Sequence, residues 1–256
     1  AYYSAENLLI CAPTGAGKTN IAMLALLQLF RPLFTEAGDG AGACKAVYIA
    51  PMKALAQEVV AKFSSRLAEL RLVVKEYTGD MQLSKQEIAQ SHLLVCTPEK
   101  FDAATRKGGE GSLSTLVSLI IIDEIHLLAD ERGAVLETSV ARTMRHVESS
   151  QRLVRLVGLS ATLPNYKDVA AFLRVSPKNG LHYFGSEFRP VPLDQTLVGL
   201  TDSSRPKRSD AMNRKTFEKM TAALERGKQV MIFVTSRADT VKTLETMLDL
   251  AAKQCM

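Results

Sequence analysis

The sequence predicts an α/β fold: a parallel sheet with helices on both faces. Two observations carry that expectation. Short apolar runs alternate with amphipathic helical stretches along most of the chain. Most of those runs are continuously apolar, as strands buried on both faces require. A third observation bears on function. One run leads into a glycine-rich segment and another ends in two acids, and both would sit at the carboxyl edge of such a sheet.

Seven runs read as strands: 7–11, 46–50, 73–77, 92–96, 119–123, 154–159 and 181–184. The stretch 21–30 after the first of them is helical. The clearest helix is 52–70, where Leu55, Val59, Phe63 and Leu67 lie four apart on one face. Stretches 133–150 and 165–173 read likewise, with Asn165 as N-cap of the latter and Asp168 in its first turn. Two breaks interrupt the alternation. Residues 38–42 form a flexible glycine-rich surface loop. Arg189-Pro190-Val191-Pro192 is stiff and non-helical, and the charged stretch 202–210 follows it. Beyond come a helix (213–226), a strand (229–234) and a last helix (238–252). So few elements make a poor independent core. The expected organisation is a first lobe at 1–188, a linker at 189–200 and the truncated start of a second α/β lobe at 201–256.

Composition bounds the function. The chain has 256 residues, 46% of them hydrophobic, and a formal net charge of +5. The longest apolar stretches, 21–30 and 116–122, fall short of the roughly 18 residues a membrane span needs. No signal-peptide pattern opens the chain, so no membrane association is expected. Cys11, Cys44, Cys96 and Cys255 show no C-x-x-C spacing. That argues against a zinc site and a disulfide framework. The positive charge is concentrated after residue 200.

Ala12-Pro13-Thr14-Gly15-Ala16-Gly17-Lys18-Thr19 follows an apolar strand and opens a helix. That is the context of a phosphate-binding loop. Gly15 and Gly17 let successive N–H groups converge on phosphate oxygens, and the helix N-terminus adds its dipole. Lys18 can neutralise β- and γ-phosphate charge, and the Thr19 hydroxyl can ligate Mg²⁺. The implied nucleotide is ATP. About a hundred residues on, Leu119-Ile120-Ile121-Ile122-Asp123-Glu124-Ile125-His126 ends a strand in acids. Asp123 would hold Mg²⁺ through its water shell, and Glu124 would orient and deprotonate the attacking water. Ser160-Ala161-Thr162 ends a further strand, so its hydroxyls could reach His126 and exchange hydrogen bonds as the nucleotide state changes, with a satisfied structural histidine as the competing reading of His126.

Together these blocks resemble the signature motifs of superfamily-two helicases: motif I at Ala12 to Thr19, motif II as Asp-Glu-Ile-His, and motif III as Ser-Ala-Thr. Ala50-Pro51-Met52-Lys53-Ala54-Leu55 resembles motif Ia. Tyr77-Thr78-Gly79-Asp80 and Thr97-Pro98-Glu99-Lys100 resemble the motif Ib region, and residues 229–237 resemble motif IV. The Asp-Glu-Ile-His form, with Phe188-Arg189-Pro190-Val191-Pro192-Leu193, is similar to the Ski-like group, and within it to large helicases with two tandem cassettes. Those are of spliceosomal and cointegrator-complex types. Residues 78–85 and 51–55 resemble the first cassette of the cointegrator type more closely.

The resemblance implies RecA-like lobes, ATP and Mg²⁺ as cofactors, and 3′-to-5′ tracking along single-stranded RNA, with DNA as an alternative. It implies subunits of a large ribonucleoprotein or cointegrator complex as partners, and a nuclear or cytoplasmic location. Pro51, Lys53, Gly79, Thr97 and Lys100 would face the nucleic-acid backbone. Solvated helix-start lysines are the competing reading for Lys53 and Lys100. Phe101 stands where such helicases usually carry Trp. The chain opens close before motif I and stops short of motifs V and VI, whose arginines stabilise transition-state charge. A nearly inactive fragment is therefore expected. A catalytically silent RecA-like scaffold is the reading from a different class, and intact Lys18, Thr19, Asp123 and Glu124 argue against it.

Overall fold

The computed structural model describes residues 1–34, 44–79, 81–106, 113–201 and 204–254. The expected loop at 38–42 and Asp80 lie outside them. The chain divides into two compact units, Ala1–Pro192 and Leu193–Met256.

The first unit is built on seven strands: β1 (Leu8–Cys11), β2 (Lys45–Ile49), β3 (Val74–Tyr77), β4 (Leu93–Cys96), β5 (Val117–Ile122), β6 (Arg155–Ser160) and β7 (Leu181–Tyr183). Each expected run is a strand, displaced by no more than two residues at either end. All pair in parallel, in the order β3-β4-β2-β5-β6-β1-β7. The edge strand β3 carries Lys75 and Glu76 and is only half-buried, as an edge in contact with water tolerates.

Strand side chains alternate between two cores, one on each face. Leu8, Ile10, Tyr48, Val95, Ile121 and Leu159 share the first. There they meet α1 (Lys18–Phe30) and α2 (Lys53–Leu67) through Leu26, Phe30, Val59 and Phe63. Leu9, Cys11, Ile49, Cys96, Ile122 and Leu156 share the second. The second core is closed by Phe101 of α4 (Pro98–Arg106), Leu136 and Val140 of α6 (Gly133–Ser150), and Val169 of α7 (Tyr166–Phe172). Two short helices, α3 (Lys85–Gln90) and α5 (Leu113–Leu116), complete the unit. This sheet, with a helical layer on each face, is an α/β fold of RecA-like architecture.

Four local expectations are corrected. The buried stripe of α2 is Ala56, Val59, Phe63 and Leu67, and Leu55 is exposed. A strict spacing of four drifts by about 40° per step on a helix of 3.6 residues per turn. After three steps Leu55 has left the face, and Ala56 has rotated into it. Asn165 occupies the N-cap of α7 but makes no side-chain cap bond, although Asp168 does lie in the first turn. In the second unit, α8 (Arg205–Glu225) starts well before residue 213, because a proline in the first turn has no N–H to lose. It packs with α9 (Arg237–Gln254). The expected strand at 229–234 is not formed among the described residues. A strand needs a paired neighbour to satisfy its N–H and C=O groups, and Met231 and Phe233 are exposed.

Candidate nucleotide and nucleic-acid site

Parallel pairing sends every strand's carboxyl end to one edge, and the strand order sorts the candidate residues along it. Spatially β6 lies between β1 and β5. The loop after β1, Ser160 at the end of β6 and Asp123 after β5 are therefore neighbours. Pro51 and Lys53 after β2, Thr97 and Lys100 after β4, and Gly79 after β3 occupy the adjoining half of the same edge.

The loop is anchored where β1 ends, by the Ala12 N–H donating to the Ser160 carbonyl at 3.0 Å. Gly15 (φ +87°) and Gly17 (φ +93°) both adopt left-handed backbone. Gly17 is the N-cap of α1 and supplies no side-chain cap, so the Lys18 and Thr19 N–H groups have no intrahelical acceptor, whereas the Asn20 N–H donates to the Gly17 carbonyl at 2.9 Å. Lys18 Nζ folds back over the loop and donates to the carbonyls of Ala12 (2.9 Å) and Pro13 (3.2 Å). Pro190 comes close to the loop: a Cβ placed on Gly15 would lie 3.3 Å from its Cγ. Burial pushes the Cys11 thiol up to about 11 despite the nearby Lys18, so this cysteine is a neutral core side chain.

Asp123 is held from two sides. The buried Tyr48 hydroxyl donates to Oδ2 at 2.6 Å, and the Glu124 N–H donates to Oδ1 at 3.0 Å. Burial, followed by the Asp123 charge, raises the Tyr48 phenol far above its ordinary value, so it stays a donor. Glu124 sits at φ +50°, ψ +47°. For a non-glycine residue that conformation stores strain, and it turns the chain directly into the short helix Ile125–Ala129. His126 Nδ1 lies 3.3 Å from Glu124 Oε2, within ion-pair range for a protonated imidazole but without hydrogen-bond alignment. Neither Ser160 nor Thr162 hydrogen-bonds to His126 among the described residues. Thr162 is exposed, and the Ser160 hydroxyl is fully buried without a partner.

An orphaned hydroxyl costs free energy, and Ser160 ends the strand that runs between β1 and β5, on the face it shares with Gly158 and the second core. Two left-handed glycines, a loop lysine and a braced carboxylate on this edge fit a phosphate chain with a hard cation. Thr19 and Asp123 supply oxygen donors of the type Mg²⁺ takes.

On the other half of the edge, Lys53 opens α2 and is exposed, as is Gly79. Thr97 is half-buried, and its carbonyl accepts the Phe101 N–H at 3.0 Å. Lys100 is partly committed within the protein. Its Nζ donates to the Met81 carbonyl at 3.1 Å and stands 4.7 Å over the Tyr77 ring. Pro51 is buried, and its carbonyl accepts from Arg132, which also lies 3.5 Å from Glu99. Arg132 thus ties the segment after β2 to the first turn of α4. Sequence reasoning missed Arg132, because nothing local marks it. Tyr48 did carry a signal: a lone hydroxyl in an apolar run must find a partner.

These features define the class: a RecA-like lobe whose glycine-rich loop and paired acids share the carboxyl edge of the sheet. Residues 1–169 match the DEAD/DEAH box helicase family model, and the chain belongs to that family. It is 53% identical over 250 residues to the Arabidopsis thaliana DExH-box ATP-dependent RNA helicase DExH14. It is 52% identical over 252 residues to Mus musculus activating signal cointegrator 1 complex subunit 3, and equally so to the Drosophila melanogaster U5 small nuclear ribonucleoprotein 200 kDa helicase. Each alignment covers 98% of this chain and 12% of the relative. The equal identities do not separate the cointegrator from the spliceosomal type. Among solved structures, the DUF1998 helicase MrfA bound to DNA superposes with a TM-score of 0.72 at 21% identity, over 97% of this chain and 34% of that one. At that identity the likeness shows the fold alone.

Proposed function

We propose that this chain is the ATP-binding motor lobe of an RNA helicase, tracking a single strand 3′-to-5′ as part of a large ribonucleoprotein or cointegrator complex in the nucleus or cytoplasm. The observation that carries this reading is the shared carboxyl edge, with the phosphate-loop residues beside the candidate strand contacts. The printed names of the relatives, ATP-dependent RNA helicase among them, support it. In this reading residues 1–188 are the first lobe, 189–200 the linker and 201–256 the start of a second lobe.

The N–H groups of the residues from Gly15 to Thr19 would bind the phosphates, with Lys18 released from its two carbonyls to meet their charge. Mg²⁺, held by Thr19 and Asp123, would supply Lewis-acid neutralisation of phosphate charge. Glu124 would position and accept a proton from the attacking water. Ser160, unpartnered beside the loop, and Thr162 would gain hydrogen bonds as the nucleotide state changes, and His126 would report that change through Glu124. Lys53, Lys100 and the exposed backbone at Gly79 suit phosphate contacts, which position a strand without reading its bases. Pro51 and Thr97 would act through their backbone.

The test is ATP turnover by the full-length protein with single-stranded RNA or DNA, beside a Glu124→Gln variant. RNA-stimulated turnover that the variant loses is expected. Stimulation by DNA alone would overturn the RNA assignment. No turnover under any condition would favour a silent scaffold.

A further inference from the structure

Tyr48 is a large polar side chain buried in the middle of the first core. Its ring packs edge-on against Phe63 of α2 at 5.7 Å between centroids, and the residue is fully buried. A phenol there must find an acceptor or lose free energy. It finds Asp123 Oδ2 at 2.6 Å, across the β2–β5 pair in which Tyr48 lies opposite Ile121. The other Asp123 oxygen takes the Glu124 N–H. With one donor on each oxygen, the carboxylate can neither rotate nor slide. Its remaining lone pairs keep a single direction.

We propose that Tyr48 is a positioning residue for metal binding: its hydroxyl fixes the carboxylate of Asp123 so that it accepts Mg²⁺ or a Mg²⁺-bound water with the nucleotide. This rests on the reading of Asp123 as a metal-site residue. The geometry is that of an outer-shell partner, whose loss commonly weakens metal binding by about 10–100-fold. Tyr48 also joins the two halves of the edge. The ring touches α2, which begins at Lys53, while the hydroxyl touches Asp123.

The experiment uses the full-length protein. A fluorescent ATP analogue is bound at fixed concentration while Mg²⁺ is titrated, for wild type, Tyr48→Phe, Asp123→Asn and Phe63→Leu. Tyr48→Phe keeps the ring and removes only the donor. Its Mg²⁺ midpoint is expected to rise about tenfold, with metal-free nucleotide binding unchanged. Phe63→Leu removes the ring contact and keeps the hydroxyl. It should lower the melting temperature and leave the Mg²⁺ midpoint in place. An unshifted Tyr48→Phe midpoint beside a shifted Asp123→Asn midpoint would overturn the role of Tyr48 alone. Equal shifts in Tyr48→Phe and Phe63→Leu would do the same, by assigning the effect to packing. An unshifted Asp123→Asn midpoint would overturn the metal-site reading, and with it the proposal.

Discussion

Replacing Asp102 by Asn removes one charge from the interface between α4 and α6. The Asp102 side chain is 6% exposed and accepts from Arg142, 28% exposed, at 2.9 Å, and from Arg106, which is 68% exposed. Arg106 can return to water, so its bond to Asp102 contributes about 0–1 kcal/mol. Arg142 cannot fully do so, although it keeps bonds to Thr105 Oγ1 and the Asp102 carbonyl. Changing its charged bond to a neutral one costs about 1–1.5 kcal/mol. The sum is about 2 kcal/mol for Asp102→Asn. Asp102→Ala leaves the guanidinium without its counter-charge, and about 3 kcal/mol is expected.

Urea denaturation followed by circular dichroism measures this. With a slope of about 2 kcal/mol per molar, the midpoint of Asp102→Asn should fall by about 1 M at pH 7. Burial opposes the charge on Asp102, but hydrogen bonds from Arg142 and Arg106 outweigh it and hold the carboxyl below its ordinary range. A depressed folded pKa means that the stabilisation is fully present above the unfolded value of about 3.9. It is lost as pH falls through the lower folded value. The gap between wild type and Asp102→Asn should therefore be constant above about pH 5 and shrink progressively below pH 4. Equal midpoints at pH 7 would refute the reasoning. So would a gap that persists undiminished at pH 2.

Two further perturbations act on the site's frame. A Cβ at Gly133 would fall 2.0 Å from the Leu128 carbonyl oxygen, so Gly133→Ala must displace either the start of α6 or the turn after Glu124. A loss of about 2–3 kcal/mol and reduced ATP turnover are expected, read by thermal melting and a turnover assay. Arg132→Met frees the Pro51 carbonyl and Glu99. RNA affinity, measured by fluorescence anisotropy, should fall about fivefold for the loss of roughly 1 kcal/mol, with nucleotide affinity unchanged.

The sequence alone determined which segments of the first unit become strands and which residues gather at their ends. A run such as Leu119-Ile120-Ile121-Ile122 has few alternatives once it must be buried on both faces, and a Gly-x-Gly-Lys-Thr loop works through its own backbone. Both properties are local. Strand order is not local. Only the folded sheet places β6 between β1 and β5, bringing Ser160 between the loop and Asp123. Burial against a particular neighbour likewise needs the third dimension, which is why Ala56 replaced Leu55 and the run at 229–234 found no partner. The braces around the site, Tyr48 on Asp123 and Arg132 between Pro51 and Glu99, join residues 75 or more positions apart or lying on separate elements. No periodicity records such pairs. They exist because a close-packed interior leaves a buried polar group only the partners that tertiary structure brings within reach.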